Sequence, residues 1–359
     1  MRKAFLPTIL AFFIVAAFVI TILATHAWDP MAFVLERPGD VPDDQTWGIG
    51  YDGQQAYAIA VDPLGASSKL DHPAYRYQRI LYPMLARILV LGVEDLIPWS
   101  LLVVNMLAAC AGVFFVSQLL IERGVSVWWA LVPLLSFNYL ISMRLDLNEP
   151  LAYALALGGL WAFERKRMGW ALVAFGLAGL AREAALVFPI GLVLWLWLKR
   201  RWRSGAAILA ASALPYVGWA LWVSRWLGKS PFATTLAKPL VIPFAGLFVM
   251  EGVEGRVMVG IWAVLPALIG GAAGLVHLMR NRSALESPEG LLVLTNAALI
   301  AILPSPTWVD ALAVLRLGVG LMIALLLWLA RARPSWLLFT AGLWGPSLLL
   351  LFMIPGFIR

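Results

Sequence analysis

Residues 5–24 read FLPTILAFFIVAAFVITILA, twenty consecutive residues without a charge. A helix needs about 20 apolar residues to cross the roughly 30 Å hydrocarbon layer of a bilayer, so this stretch reads as a membrane crossing. It follows Met-Arg-Lys and shows no clear small-residue cleavage site, which makes it a retained helix rather than a removed signal peptide. The rest of the chain repeats the pattern. Of 359 residues, 62% are hydrophobic and only 13% charged, and the mean hydropathy is +0.85. These values exclude an ordinary soluble domain. The expected fold class is an all-α integral membrane protein, one domain over residues 1–359.

Apolar stretches at 5–25, 98–120, 126–143, 149–163, 168–181, 184–198, 205–227, 256–279, 289–305, 310–330 and 334–356 predict eleven transmembrane helices. With the amino terminus in the cytoplasm, the basic clusters fall on one side: Arg2 and Lys3; Arg123; Arg165 to Arg167; Lys199 to Arg203; Arg280 and Arg282; Arg331 and Arg333. That is the bias of cytoplasmic loops. The stretch 79–92 is apolar but short, carries Arg87, and would invert every later cluster if it crossed. It therefore reads as an interfacial or re-entrant helix within a long first outer loop, residues 26–97, with residues 98–359 holding the remaining spans. Of the 20 acidic residues, only Glu122, Glu164, Glu286 and Glu289 then lie inside.

The net charge of +7 needs no nucleic acid to explain it, because the inner basic clusters orient the chain and attract anionic membrane lipids. No zinc spacing, phosphate-cradling glycine loop or nucleic-acid module is present. Cys110 is the single cysteine, so no intrachain disulfide is possible, and it reads as a packing residue. His26, His72 and His277 lack metal-ligand spacing.

Ionisable residues at a membrane edge cost free energy unless paired or solvated, which makes them functional candidates. Four groups qualify at the outer edge. The first loop carries Asp29, Asp52, Asp62 and Asp71, with Asp52 inside GYDGQQ (50–55), where Gly50 and Gly53 offer backbone freedom. AYRYQRILYP (74–83) places Arg76 and Arg79 three apart among Tyr75, Tyr77 and Tyr82. MRLDLNEP (143–150) brings Arg144, Asp146 and Glu149 together, and LAREAALVFP (180–189) contains Arg182 and Glu183. Plainer readings stand beside these. Asp146 and Glu149 suit a capping box, Arg182 and Glu183 a self-neutralising turn, the tyrosines with Trp28, Trp47 and Trp99 an aromatic belt, and Arg87, Arg225 and Arg256 snorkelling side chains. Asp43 and Asp44 read as solvated loop.

GYDGQQAYAIAVDP followed by RYQRILYPMLARIL, with DLNEPLAYALALGGL and LAREAALVFPIGLVLW later, resembles the GPI-mannosyltransferase-like branch of the C-type glycosyltransferase superfamily and related bacterial proteins of cell-surface glycopolymer formation. The likeness covers roughly residues 45 to 198. It implies a mannosyltransferase-like enzyme of a bacterial inner membrane that takes a sugar from a polyprenyl-phosphate-linked donor and passes it to a glycan or glycolipid acceptor on the extracytoplasmic side. The resemblance makes Asp52 the general base of an inverting transfer. Arginine forks bind phosphate oxygens in pairs, which makes Arg76, Arg79, Arg182 and Arg316 the donor-phosphate candidates, with Tyr51, Asp146, Glu149 and Glu183 orienting them or holding sugar hydroxyls. No Asp-X-Asp pair stands on the first loop, so no metal or other cofactor is expected. A transporter or flippase of lipid-linked sugars and a non-catalytic envelope scaffold remain as alternatives.

Overall fold

Without water to satisfy them, backbone polar groups inside a bilayer must bond within their own segment, which favours helices. The computed structural model describes residues 2–34, 51–233, 238–280, 286–354 and 357, and every regular element among them is helical. Asp43, Asp44, Trp47, Gly50 and Arg282 lie outside the described residues.

The uncharged opening stretch forms α1 (Arg2–Thr25), and three short helices follow: α2 (Asp52–Val61), α3 (Pro73–Tyr77) and α4 (Leu81–Leu89). At nine residues α4 spans about 14 Å, too short to cross. It packs on α2 and on α5 (Ile97–Glu122). The crossing expected over 126–143 is broken instead: α6 (Leu131–Leu134) and α7 (Phe137–Arg144) are separated at Leu135 and Ser136, where the Ser136 hydroxyl accepts the Tyr139 N–H and starts α7. Then come α8 (Glu149–Glu164), α9 (Met168–Ala181), α10 (Val187–Leu198) and α11 (Trp202–Leu227). The last part holds α12 (Gly246–Val249), α13 (Val253–Val259), α14 (Leu265–Arg280), α15 (Glu289–Ala301), α16 (Ser305–Trp308), α17 (Ala311–Ala332), α18 (Leu337–Trp344) and α19 (Leu350–Met353).

Among the described residues, six continuous helical stretches are long and apolar enough to cross a membrane: Lys3–Thr25, Glu94–Glu122, Trp202–Leu227, Val253–Arg280, Ala311–Ala332 and Pro334–Met353. Met168–Ala181, Glu183–Leu198 and Glu289–Ala301 are apolar but shorter. The protein is thus a helical membrane protein. In α17, 94% of the apolar window is buried, against 28–50% in the other five, so α17 is the central helix. Its sequence is apolar around most of its circumference, as a buried helix requires.

Two helices connect two ionic clusters. Glu149 and Glu164 lie at the two ends of α8, while Arg316 and Arg331 lie near the two ends of α17. Fifteen residues of helix separate each pair, about 22 Å. At one face Arg123 pairs with Glu164 at 2.8 Å and Glu289 at 2.5 Å, Arg331 approaches Glu289 at 3.7 Å, and Arg165 pairs with Glu122 at 2.5 Å. These residues share one side of the topology read from the sequence. The opposite cluster gathers the candidates expected on the other side.

Gly53 has a different role from the freedom expected of it. It lies inside α2 with ordinary backbone geometry, and a Cβ there would collide with the Leu145 carbonyl and sit 3.0 Å from that of Asp146. The glycine lets α2 press against the turn between α7 and α8. Gly53→Ala is therefore expected to destabilise the protein by about 1–3 kcal/mol, read as a lower melting temperature in detergent. An unchanged melting temperature would show that this contact is dispensable.

Candidate functional site

Asp52 is not on a loop. It is the first residue of α2, its side chain is 5% exposed, and a carboxylate there faces the positive end of the helix dipole. Four arginines from three other parts of the chain converge on it. Arg76, in the last turn of α3, reaches Oδ1 at 2.5 Å. Arg79 between α3 and α4, Arg182 after α9, and Arg316 in the second turn of α17 reach Oδ2 at 2.8, 3.1 and 2.9 Å. Burial pushes the Asp52 carboxyl up, but Arg79, Arg316, Arg76 and Arg182 together outweigh it and hold the group well below the usual carboxylate range.

Each arginine has a second carboxylate. Asp71 takes Nε and Nη2 of Arg76 at 2.8 and 2.6 Å. Glu183 accepts Nε and Nη2 of Arg79 at 3.0 and 2.6 Å, and Arg79 also lies over the Tyr75 ring while donating to its hydroxyl. Glu149, the first residue of α8, approaches Arg182 at 3.0 Å and Arg316 at 3.4 Å. Arg182 and Glu183 are thus not a self-neutralising turn. The backbone is extended at Arg182 (φ −160°, ψ 130°), and the two side chains serve different partners. Asn148 donates to the Ala181 carbonyl at 3.2 Å and to that of Arg79 at 3.5 Å, which ties together the backbones that present both arginines.

Tyr51 caps the start of α2 and donates its hydroxyl to Asp310, which in turn accepts the Leu312 N–H and caps α17. Neighbouring residues 51 and 52 therefore both dock on the start of α17, one through Asp310 and the other through Arg316.

These groups open on one cavity of about 730 Å³. Asp52, Arg76, Arg79, Arg182, Arg316, Glu183 and Tyr51 supply its polar lining, with Tyr75, Gln78, Tyr216 and Asp310. The rest of the lining is largely apolar: Phe232, Pro239, Leu299, Ile302, Leu303, Pro304, Val309 and Leu317 among others. Ile302, Val309 and Phe232 are also 42%, 61% and 49% exposed, so part of the apolar lining reaches the outer surface of the protein. Asp310, Asn148, Gln78 and Tyr216 had carried no signal in the sequence beyond being polar residues near apolar runs. Gln78 accepts the Tyr216 hydroxyl at 2.7 Å, a pairing across 138 residues.

Asp146 is not part of this cavity. It is fully buried in the left-handed region (φ 52°) and accepts from the Tyr82 hydroxyl at 2.6 Å and from Asn105 at 3.0 Å. The α7–α8 turn is thereby fastened to α4 and α5. No capping box forms: Asn148 precedes α8, and neither Asp146 nor Glu149 caps it by a side-chain hydrogen bond. Tyr82 and Tyr77 are buried as well, so neither belongs to an aromatic belt. Arg87 donates to the Ala60 and Val61 carbonyls, closing the last turn of α2. Arg256 donates to Met250 O. Asp29 and Asp62 cap local turns, and Arg144 donates to the Phe357 and Ala32 carbonyls, away from the site.

Burial pushes the Asp146 carboxyl up to about 7, against the hydrogen bonds from Tyr82 and Asn105, from an ordinary value of 3.8. The folded state therefore keeps a proton that the unfolded chain loses. Stability from this group is full below about pH 4 and is lost as pH rises through about 7, on the order of 4 kcal/mol in all. Melting curves in detergent between pH 4 and 8 should show this fall. Asp146→Asn, which tolerates the left-handed backbone, should flatten the curve, and a wild-type profile as flat as the variant's would refute the assignment.

Among the described residues, no group of three or more His, Cys, Asp or Glu is placed to hold a metal ion. Comparison with known proteins found no matching family model, no matching curated protein and no matching solved structure.

Proposed function

We propose that the protein is a membrane glycosyltransferase that moves a sugar from a polyprenyl-phosphate carrier to a lipid-linked or cell-surface glycan. The observation that carries this reading is a cavity lined by four arginines together with many apolar side chains, some of which also lie on the protein's exterior. A ligand with an anionic head and a hydrocarbon tail fits such a cavity. Guanidinium forks meet the phosphate, and the apolar lining of Leu299, Ile302, Leu303 and Val309 receives the first isoprene units.

In this proposal an acceptor hydroxyl attacks the anomeric carbon from the face opposite the phosphate. The carbon–oxygen bond to the phosphate breaks, polyprenyl phosphate leaves, and the configuration inverts. The leaving phosphate needs no proton. Its growing charge is met by arginines already in place, a large source of catalysis in a low-dielectric site, and the scheme requires no metal. The hydroxyl proton goes to a carboxylate, and the resemblance gives that role to Asp52. The proposed topology has eleven crossings, the amino terminus in the cytoplasm and this cavity on the extracytoplasmic side of a bacterial inner membrane.

Proteoliposomes loaded with a panel of polyprenyl-phosphate-linked radiolabelled hexoses and pentoses test the reading. Transfer of label from carrier to glycolipid acceptors is the expected result. Movement of the intact carrier between leaflets, with no sugar released to any acceptor, would establish the transporter reading instead.

A further inference from the structure

We infer that the Asp52 carboxylate and the phosphate of a polyprenyl-phosphate headgroup use the same four guanidiniums, so that Asp52 is a built-in competitor which the ligand must displace. The inference takes the identity of the anion from the transferase reading, but its geometry stands apart from it. Outward from Asp52, the arginines are already committed. Asp71 holds Nε and Nη2 of Arg76, and Glu183 holds the same two nitrogens of Arg79. The nitrogens facing Asp52 are Nη1 of Arg76, Arg79 and Arg182 and Nη2 of Arg316, at 2.5–3.1 Å. A phosphate entering the cavity meets these donors where the carboxylate now sits. Arg316 Nη1 is buried without a hydrogen-bond acceptor among the described residues, and the larger oxygen set of a phosphate can satisfy it where two carboxylate oxygens do not.

Displacement has a chemical consequence. A carboxylate held by four guanidiniums is a poor proton acceptor, whereas one that has yielded them to a phosphate is a better one. Donor binding would then activate the base only when a sugar is present to be attacked, and the acceptor hydroxyl would not be deprotonated otherwise.

The test uses the purified full chain in detergent with farnesyl phosphate as the probe. Asp52→Asn removes the competitor and is expected to bind farnesyl phosphate about tenfold tighter than wild type or better. Equal or weaker binding overturns the inference. A second measurement needs no variant: labelling of wild-type Asp52 by an apolar carbodiimide, read by mass spectrometry, should rise when farnesyl phosphate is added. Unchanged or reduced labelling overturns the inference as well. Inorganic phosphate in a parallel arm separates the sources, since a rise with it assigns displacement to the headgroup alone, and a rise with farnesyl phosphate only assigns it to headgroup and tail together. Displacement without sugar transfer from any carrier would retain this inference and remove the transferase reading.

Discussion

Asp52→Asn is expected to abolish sugar transfer, lowering kcat by about 10²–10⁴, the contribution of one positioned general base, while leaving the protein folded. The two halves of that expectation have separate grounds. The fold should survive because every arginine around Asp52 has a second acid: Asp71 for Arg76, Glu183 for Arg79, and Glu149 for Arg182 and Arg316. Each guanidinium keeps a carboxylate partner, but Arg182 and Arg316 then share Glu149, so the variant should fold with a lowered melting temperature rather than lose its fold. Transfer should fail because asparagine keeps the size and hydrogen-bonding shape of the side chain but cannot take a proton. Single-turnover transfer in proteoliposomes, with a melting curve on the same preparation, reads both halves. Undiminished transfer by a folded variant would remove Asp52 as the base and leave it only as the counter-ion of the arginines.

The same residues show what a linear sequence does and does not disclose. A crossing announces itself because twenty uncharged residues carry their own length, and α1 runs as FLPTILAFFIVAAFVITILA implies. Where a span is composed of shorter pieces the rule loses its grip, as at 126–143, because Ser136 caps a new helix in mid-run. Asp52, Arg76, Arg79, Arg182, Glu149 and Glu183 were visible as candidates because charge at a membrane edge must be paired or solvated, whereas Arg316, inside the apolar stretch 310–330, was named only as a further arginine for the donor phosphate. Who pairs with whom was not visible. Arg182 and Glu183 are adjacent in sequence and serve different partners, while Asp52 and Arg316 lie far apart in the chain and meet at 2.9 Å. Gly53 and Asp146 were misread for a related cause. Both stand where α2 presses on the α7–α8 turn, and such a contact between distant backbones leaves no local pattern in either segment.

Arg182→Ala is expected to damage both donor binding and stability, because Arg182 sits between Asp52 and the more deeply buried Glu149. Removing it takes one guanidinium from the donor phosphate, a charge-assisted interaction whose loss weakens donor binding about 10- to 100-fold. It also leaves Glu149, 1% exposed, with Arg316 at 3.4 Å as its remaining ion-pair partner in the site. Breaking a buried pair from one side costs about 3–5 kcal/mol, so the melting temperature should fall with the activity. Loss of activity in this variant is therefore ambiguous by itself, and Glu149→Gln supplies the missing control. In the double variant the stranded carboxylate is gone, and the melting temperature should recover most of the way toward wild type. Transfer should not recover, since the phosphate still lacks its guanidinium, and Arg182→Lys should fall between, with charge kept and the planar fork lost. If transfer returned together with stability in the double variant, Arg182 would be only the counter-ion of Glu149, and the cavity would have to bind its phosphate through Arg76, Arg79 and Arg316 alone.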